Sequence, residues 1–305
     1  MKVLVTGGAG FIGSHVVDAC LEAGHQVCIV DDLSTGKRGN VNSQATLHVV
    51  DLRDAEALEQ VFAQEKPEAI CHLAAKANVR ESMIEPILYA EVNVIGSLAL
   101  LECARKHGTQ KIVYASTGGA VYGEPEYVPV DESHPINPLD PYGASKHFVE
   151  HYLYIYRTHY GLDYTILRFP NVYGPRQDPY GEAGVVAIFA AAMMEGKQPV
   201  IFGDGNNVRD FVYVGDIARA NVLSLTAGSG EILNLGSGLG TSINTIFHEL
   251  KAATGSDCEE IHGPAKLGEV VKTYLTTSRA KEKIGWEAQV SLKEGLERTV
   301  AFFRK

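Results

Sequence analysis

"KVLVTGGAGFIGSHVV", residues 2–17, predicts a β-strand, a glycine turn and a helix in direct succession. Gly7, Gly10 and Gly13 lie between the aliphatic run and the helix, which is the spacing of a dinucleotide-binding turn. The first glycine permits the tight turn, the second lets the backbone approach a pyrophosphate, and the third lets helix and strand pack closely. We therefore expect the N–H groups at the start of this helix to bind a diphosphate.

The chain beyond this turn alternates between apolar runs and helical patterns. The apolar runs predict strands at 26–32, 46–52, 69–75, 111–116 and 164–169, and the helical patterns lie at about 54–64, 81–107 and 141–160. The runs are continuously apolar, which indicates a parallel sheet covered on both faces. We predict an α/β fold with a doubly wound parallel sheet of the Rossmann type and a ligand at the carboxyl ends of its strands.

The regular alternation ends near residue 170. The stretch "FPNVYGPRQDPYGEAG", residues 169–184, is rich in glycine, proline and aromatic residues, which predicts an ordered loop between domains. We expect a dinucleotide-binding domain at 1–170 and a smaller mixed α/β substrate-binding domain at 171–305. Some strands of the second part are expected to rejoin the first sheet.

The composition restricts the class of partner. The 305 residues are 45% hydrophobic and 21% charged, which is typical of globular proteins, and the net charge of −10 argues against nucleic acid or an anionic membrane as a partner. Five scattered cysteines without a CxxC pair predict reduced thiols in a cytoplasm, with neither a metal site nor a disulfide framework. The apolar N-terminal run is short of a membrane span and lacks a signal-peptide cleavage pattern.

A carboxylate ends the second predicted strand. Asp31 lies 18 residues after Gly13 (31 − 13), close to the spacing of about 20 at which an acidic residue binds the adenosine ribose. Its charge would repel a 2′-phosphate and favours NAD over NADP. Lys37 and Arg38 are the counter-argument, since they would suit such a phosphate, but we interpret them as solvated loop charges. Asp51 after the third strand suits either the adenine amine or a cap on the following helix.

Tyr142 and Lys146 are four residues apart and project from one face of a predicted helix. A tyrosine has a reference pKa of about 10, and a nearby ammonium together with an oxidised nicotinamide favours its phenolate. Tyr142 would then be a general base for an alcohol, and Lys146 would also hold the nicotinamide ribose. Such a pair is usually a surface pair. Here it follows a dinucleotide turn and two hydroxyls at a strand end, Ser116 and Thr117.

Ten short stretches together resemble one known family. They are "TGGAGFIG", "VDDLSTG", "HLAA", "EVNVIGS", "AVYG", "PYGASK", "LRFPNVYGPRQ", "FGDGNNVRDFVYVGD", "NLGSG" and "KLGE". Over nearly its whole length the chain resembles the NAD-dependent epimerase/dehydratase family of extended short-chain dehydrogenases/reductases, nearest to the members that epimerise UDP-hexoses at C4. The resemblance implies NAD as cofactor, a UDP-sugar as substrate, and hydride abstraction and return through a 4-keto intermediate.

The resemblance also implies a role for individual residues. The catalytic set would be Tyr142, Lys146 and Thr117. The cofactor would be bound by Gly7, Gly10, Phe11, Ile12, Gly13, Asp31, Asp32, Ser34, Thr35, Gly36, Asp51, Leu52, Leu73, Ala74, Ala75, Asn93, Ser116, Tyr142 and Lys146. The substrate would be bound by Lys76, Asn171, Val185, Phe202, Arg209, Lys266, Glu269 and Thr273. Arg209 would clamp the diphosphate, or alternatively form a structural salt bridge with Asp210 or Asp216.

The chain departs from the family pattern beside the catalytic tyrosine. Related epimerases carry a Ser or Thr that shares the substrate proton, and that position here is Gly118. Thr117 is the nearest hydroxyl, but adjacent residues of a strand point to opposite faces, so it serves only if Gly118 and Gly119 bend the backbone. Otherwise Tyr142 takes the proton directly or through a water in the glycine space. We expect a working enzyme with Tyr142 as the principal base.

Three further departures concern the substrate. Lys266 stands where the family has a second phosphate-binding arginine, so the charge remains but the bidentate fork is lost. Thr273 stands at a gate that, when small, admits N-acetyl sugars in similar enzymes. Ala120 stands where dehydratases of the superfamily carry an acidic residue, which disfavours dehydration.

Other interpretations stay open at this point. The chain would also suit another nucleotide-sugar enzyme of the family, such as a UDP-glucuronate 4-epimerase, a decarboxylase or a dehydrogenase, or a non-catalytic NAD-sensing protein. By the same resemblance, the helices at 81–107 and 141–160 would pair across a two-fold axis in a homodimer. Their apolar stripes would equally suit an ordinary core.

Overall fold

The computed structural model describes residues 1–180, 184–265 and 270–304. Its strands, in chain order, are β1 (Lys2–Thr6), β2 (Gln26–Asp31), β3 (Thr46–Val49), β4 (Ala69–His72), β5 (Lys111–Thr117), β6 (Asp163–Phe169), β7 (Asn171–Tyr173), β8 (Ile201–Phe202), β9 (Val208–Arg209), β10 (Phe211–Tyr213), β11 (Glu231–Asn234), β12 (Thr241–Ser242) and β13 (His262–Gly263). Its α-helices are α1 (Phe11–Glu22), α2 (Ala55–Glu65), α3 (Val79–Ile84), α4 (Pro86–Tyr89), α5 (Gly96–His107), α6 (Pro141–Tyr160), α7 (Val185–Met194), α8 (Val214–Ser224), α9 (Ile243–Thr254), α10 (Ser278–Ile284) and α11 (Leu292–Phe303).

A seven-stranded sheet in the order β11-β6-β5-β4-β1-β2-β3 forms the centre of the molecule. Every neighbouring pair in it is parallel. The order reverses between β1 and β4, and in a doubly wound sheet the ligand crevice opens at the carboxyl ends of the strands at such a point. The predicted parallel α/β sheet is therefore confirmed, and the glycine turn lies at this crevice.

Both faces of the sheet are covered by apolar side chains. One face packs against α1, α8 and α10, with Val17, Ile217 and Trp286 fully buried. The opposite face packs against α2, α5 and α6, with Phe62 and Leu100 among its buried residues. This two-sided burial is the reason that the strands read as unbroken apolar runs.

The chain after residue 170 contributes to two separate cores. Its strand β11 pairs with β6, and α8 and α10 cover the first sheet. Its helices α7, α9 and α11 pack on one another around a cluster that includes Phe189, Phe247 and Leu296. The division into domains at residue 170 stays a prediction.

The helical pattern predicted at 81–107 is interrupted in the structure. It consists of α3, α4, a π-helical turn at Ala90–Ile95, and α5. Proline has no N–H for the preceding turn, so α3 ends at Ile84 and α4 begins at Pro86. The π-helical turn buries Asn93, whose side chain is used in the candidate site.

The structure bears on two features of the sequence, the cysteines and the apolar helices. The five cysteines are all free thiols, and four of them are buried. Among the described residues, the helical stretch Pro86–His107 is long and apolar enough to cross a membrane by length and composition alone. The same test is met by core helices, and Leu100 and Leu101 of this stretch are buried against α2 and β4.

Candidate active site

Two glycines at the turn between β1 and α1 leave no room for a side chain. Gly7 has φ of +70°, and a Cβ there would lie 2.8 Å from the Ala74 nitrogen, while a Cβ on Gly13 would lie 2.0 Å from the Gly7 oxygen. Helix α1 has Gly10 as its N-cap, with no capping side chain and no acidic residue in its first turn. The first N–H groups of the helix are thus left to an anion. These residues fit the diphosphate of a dinucleotide.

The other predicted cofactor residues follow the ends of β1, β2, β3 and β4, except Asn93, Ser116, Tyr142 and Lys146. Phe11 and Ile12 begin α1, Asp32, Ser34, Thr35 and Gly36 form the loop after β2, Leu52 lies buried after β3, and Leu73, Ala74 and Ala75 follow β4. They therefore border one crevice, as the parallel topology requires.

Asp31 is held under the loop that follows β2. Its carboxylate accepts hydrogen bonds from the backbone nitrogens of Ala9 and Leu33, both at 2.9 Å, and burial raises its pKa. Lys37, the residue that argued for a 2′-phosphate, has its ammonium 2.7 Å from the Asp178 carboxylate. This ion pair compensates the lysine charge within the protein, which favours the interpretation of Lys37 as a loop charge.

The suggested capping role of Asp51 is wrong. Helix α2 is capped by Asp54, which accepts from the Ala57 nitrogen at 3.0 Å. The Asp51 carboxylate instead accepts from the backbone nitrogen of Arg53 at 2.8 Å and from its guanidinium at 2.6 Å. The hydrogen bond with Arg53 lowers the pKa of Asp51. The adenine role stays a prediction.

A buried histidine that the sequence reading did not single out connects the ends of β1 and β4. Thr6 Oγ1 accepts from the backbone nitrogens of Leu73 and Ala74 at 3.1 Å, so its own proton goes to His72 Nδ1, 2.7 Å away. His72 is then a neutral imidazole protonated on Nε2, which donates to Ser97 Oγ at 2.9 Å. Burial lowers the pKa of His72 to about 3, and the charge of Lys146 acts in the same direction. The only sequence signal was its place in "HLAA".

Asn93 continues this chain of hydrogen bonds to the catalytic helix. Ser97 donates to the Asn93 carbonyl oxygen, and the Asn93 amide bonds both backbone polar atoms of Lys76, at 2.8 and 2.9 Å. The same amide donates to Ser145 Oγ at 2.9 Å, and Ser145 donates to the Tyr142 carbonyl oxygen at 2.7 Å. The side chain of Asn93 therefore fixes the start of α6 relative to the sheet.

Lys146 is a buried ammonium without a carboxylate partner among the residues that the structure describes. It is 4% exposed, and its Nζ lies 4.4 Å from the centre of the Tyr114 ring. Burial lowers its pKa to about 7, against an opposing effect of the Glu150 charge. A strongly perturbed lysine next to a ligand crevice is a candidate functional group.

Glu150 lies one helical turn beyond Lys146 and belongs to a different network. It binds the Arg168 guanidinium through two hydrogen bonds of 3.0 and 2.6 Å, and both side chains are buried. Ser116 and His147 also bond it, at 2.6 and 2.9 Å. Burial alone would raise the pKa of Glu150, but these hydrogen bonds and the Arg168 charge lower it to about 2. The Ser116 hydroxyl thus donates its proton to Glu150, so its oxygen is left only as an acceptor towards a cofactor.

The two glycines after β5 differ in their surroundings. Thr117 is 8% exposed, and its Oγ1 accepts from the Gly119 nitrogen at 3.2 Å. A Cβ on Gly118 would lie 2.6 Å from Leu275 Cδ1, whereas a Cβ on Gly119 would have no neighbour nearer than 3.8 Å. The Leu275 side chain thus occupies the place that a Gly118 side chain would take, and the water-mediated route stays a prediction.

Three of the predicted substrate residues lie in one cleft beside these glycines. Asn171, Arg209 and Thr273 line it together with Gly118, Gly119, Pro170, Asp210, Tyr274 and Leu275. The ion pairs of the described residues do not join Arg209 to Asp210 or Asp216. Asp210 accepts from Ser237, Gly238 and Leu275, and Asp216 pairs with Arg219. The alternative of a structural salt bridge from Arg209 to either carboxylate is not observed.

Three further predicted substrate residues, Lys76, Val185 and Phe202, are not among the residues that line this cleft. Val185 begins α7 and is partly buried, and Phe202 is 47% exposed on β8. Lys76 follows β4, with its ammonium 3.9 Å from Glu81. Lys266 and Glu269 lie outside the described residues.

Known proteins resemble this chain over its whole length. The model of the NAD dependent epimerase/dehydratase family matches residues 3–236. UDP-glucose 4-epimerase of Mycolicibacterium smegmatis is 44% identical in an alignment of 310 positions that covers 100% of this chain and 99% of that protein. The structure of UDP-glucose 4-epimerase from Thermotoga maritima with UDP-glucose is 51% identical, with a TM-score of 0.98 over 100% of this chain and 99% of that one. UDP-glucose 4-epimerase of Thermus thermophilus in complex with NAD is 44% identical, with a TM-score of 0.95 and coverage of 100% and 99%. The chain belongs to the NAD dependent epimerase/dehydratase family.

Proposed function

We propose that the protein interconverts UDP-hexoses at C4 with NAD as its cofactor. UDP-glucose and UDP-galactose are the proposed substrates, and the small Thr273 leaves room for their N-acetyl forms. The observation that carries the proposal is Lys146: a buried ammonium without a carboxylate partner among the described residues, one helical turn from Tyr142 and beside a glycine turn that suits a dinucleotide.

The chain's own residues bind and orient the two ligands. The first N–H groups of α1 bind the diphosphate of the cofactor, and Asp31 retains lone pairs for the adenosine ribose diol. Asn171 and Arg209 hold the nucleotide sugar, with the Arg209 guanidinium offering paired donors to its phosphate oxygens. Lys76, Val185, Phe202, Lys266 and Glu269 complete the proposed substrate set.

Tyr142 moves the proton. Bound NAD supplies the hydride acceptor and donor at C4 of the sugar. The Tyr142 phenolate removes the proton of the 4-hydroxyl, and after the 4-keto sugar has turned, it returns that proton to the oxygen at C4. The Lys146 ammonium stabilises the phenolate. Burial lowers the pKa of Lys146 to about 7, so a neighbouring negative charge also stabilises the ammonium itself. Thr117 is the proposed second hydroxyl on the path.

The proposed assembly is a homodimer in the cytoplasm. Large apolar side chains are exposed on the outer faces of α3, α4 and α6: Met83 is 62% exposed, Ile84 76%, Ile87 74%, Phe148 48% and Ile155 42%. These helices contact one another, and large exposed apolar side chains on neighbouring helices are typical of an interface between subunits. Sedimentation of wild type and of an Ile84→Glu/Ile87→Glu variant tests it, with a shift towards monomer expected.

Product analysis tests the activity. Purified protein is incubated with UDP-glucose, UDP-galactose, UDP-N-acetylglucosamine and UDP-glucuronate, and the nucleotide sugars are separated by chromatography. We expect the C4 epimer of the first two and no 4-keto-6-deoxy product, because Ala120 offers no carboxylate for dehydration. Tyr142→Phe should lose turnover while retaining NAD. Unchanged turnover in that variant, or no epimer from any hexose, would reject the proposal.

A further inference from the structure

Gly118 is a glycine for a spatial reason. Its backbone is not among those with positive φ, so a side chain would suit its conformation. The obstacle is Leu275, whose Cδ1 would lie 2.6 Å from a Cβ at this position, with the Arg168 carbonyl oxygen at 3.4 Å. Carbon atoms that are not bonded do not approach so closely, so Leu275 would have to move.

Backbone hydrogen bonds hold Leu275 and the residues on either side of it in place. Its nitrogen donates to Asp210 at 3.3 Å, the preceding carbonyl accepts from the Val130 nitrogen at 2.8 Å, and the following nitrogen donates to the Val130 oxygen at 2.9 Å. Its side chain is 1% exposed and packs with Val121, Tyr122 and Val130. The segment cannot retreat without breaking these bonds, so a side chain at position 118 can be accommodated only by movement of the Leu275 side chain within this buried cluster.

We propose that Leu275 is a positioning residue for the sugar-binding cleft, which excludes a side chain from position 118 and so holds the Gly118–Gly119 turn in place. The inference rests on the proposed function. The next glycine faces open space, with Thr117 Oγ1 at 3.8 Å and Asn171 Oδ1 at 4.0 Å from its Cβ position. The cleft wall here consists of bare backbone beside the Thr117 hydroxyl. With no side chain at position 118, the proton path involves Tyr142 directly, Tyr142 with Thr117, or Tyr142 through a water.

A double-mutant cycle tests the inference. Gly118→Ala adds only the colliding carbon, Leu275→Ala removes the obstacle, and the double variant exchanges the two volumes. We expect Gly118→Ala to lower kcat about tenfold with KM changed less than about threefold, and to lower Tm. Leu275→Ala should lower Tm because it leaves a cavity. The double variant should exceed Gly118→Ala in kcat and Leu275→Ala in Tm.

Gly119→Ala is the matched control for stability, since its added carbon meets no atom within 3.8 Å, and its Tm should equal that of wild type. The inference is overturned if Gly118→Ala keeps the kcat and Tm of wild type, or if the effects in the cycle add. Coupling in Tm without coupling in kcat also overturns it, because Leu275 would then contribute packing alone. The two failures can be told apart. Absence of epimerase activity in the wild type rejects the proposed function, whereas an active wild type without coupling between positions 118 and 275 rejects only the inference about Leu275.

Discussion

Replacing Lys146 with methionine should change the stability of the protein and its turnover in opposite directions. Methionine has a similar length and no charge, so the variant removes the buried ammonium with little change in volume. Burial lowers the pKa of Lys146 from its ordinary 10.5 to about 7 in the folded chain. This difference of about 3.5 (10.5 − 7) corresponds to roughly 5 kcal/mol at about 1.4 kcal/mol per pKa unit.

The direction of the pH dependence follows from which state binds the proton more tightly. Between about pH 7 and 10.5 the unfolded chain holds the Lys146 proton and the folded chain has released it, so the unfolding free energy of wild type rises with pH. Below about pH 7 both states are protonated and the full penalty of burial remains. Over the two pH units from 7.5 to 9.5, the difference between wild type and Lys146→Met should therefore change by about 2 kcal/mol in favour of wild type.

Urea unfolding of the nucleotide-free proteins at several pH values measures this difference. At pH 7 the variant should be more stable than wild type and should lack turnover, because Tyr142 has lost the charge that favours its phenolate. Lys293→Met, on the exposed side of α11, is the control and should show no such pH-dependent difference. A wild-type-minus-variant difference that stays constant from pH 7.5 to 9.5 would refute the reasoning.

Three further substitutions have defined outcomes. Glu150→Gln leaves the buried Arg168 charge without its counter-ion and should lower the unfolding free energy by about 3–5 kcal/mol, measured by urea unfolding at pH 7; a loss below about 1 kcal/mol would contradict the buried pair. His72→Leu leaves two buried hydroxyls without their ring partner and should destabilise the fold by about 2–4 kcal/mol at pH 7 in the same assay; the loss relative to wild type should be smaller by about 2 kcal/mol at pH 5, because the unfolded wild-type chain binds a proton there that the folded ring, with its pKa lowered to about 3, does not. Gly13→Ala places a carbon 2.0 Å from the Gly7 oxygen and should weaken NAD binding at least about tenfold by calorimetry; unchanged affinity would mean that the turn adapts.

The sheet was predictable because most of its first six strands are mainly apolar stretches between helical patterns, and the half-polar edge strand β3, Thr46–Val49, lies within the longer run at 46–52. Strand β11 could not be located in the same way, since Glu231–Asn234 is four residues long and half polar. The break in the helix at Pro86 had a signal in the proline itself. Leu275 had none: it lies 157 residues beyond Gly118 (275 − 118), and only the folded chain brings the two together.

The candidate site has two halves, each held by its own network of hydrogen bonds. Among the described residues, the nucleotide turn and the tyrosine helix are joined by hydrogen bonds that run from Thr6 through His72 to the backbone of Asn93, and from the Asn93 side chain to the start of α6. The sugar cleft is instead held by Asp210, whose carboxylate accepts from three backbone nitrogens and one hydroxyl of the C-terminal half. Because the two supports share no hydrogen bond among the described residues, changes in the cleft wall should alter the choice of sugar without moving the base. A change at His72 should disturb cofactor and base together.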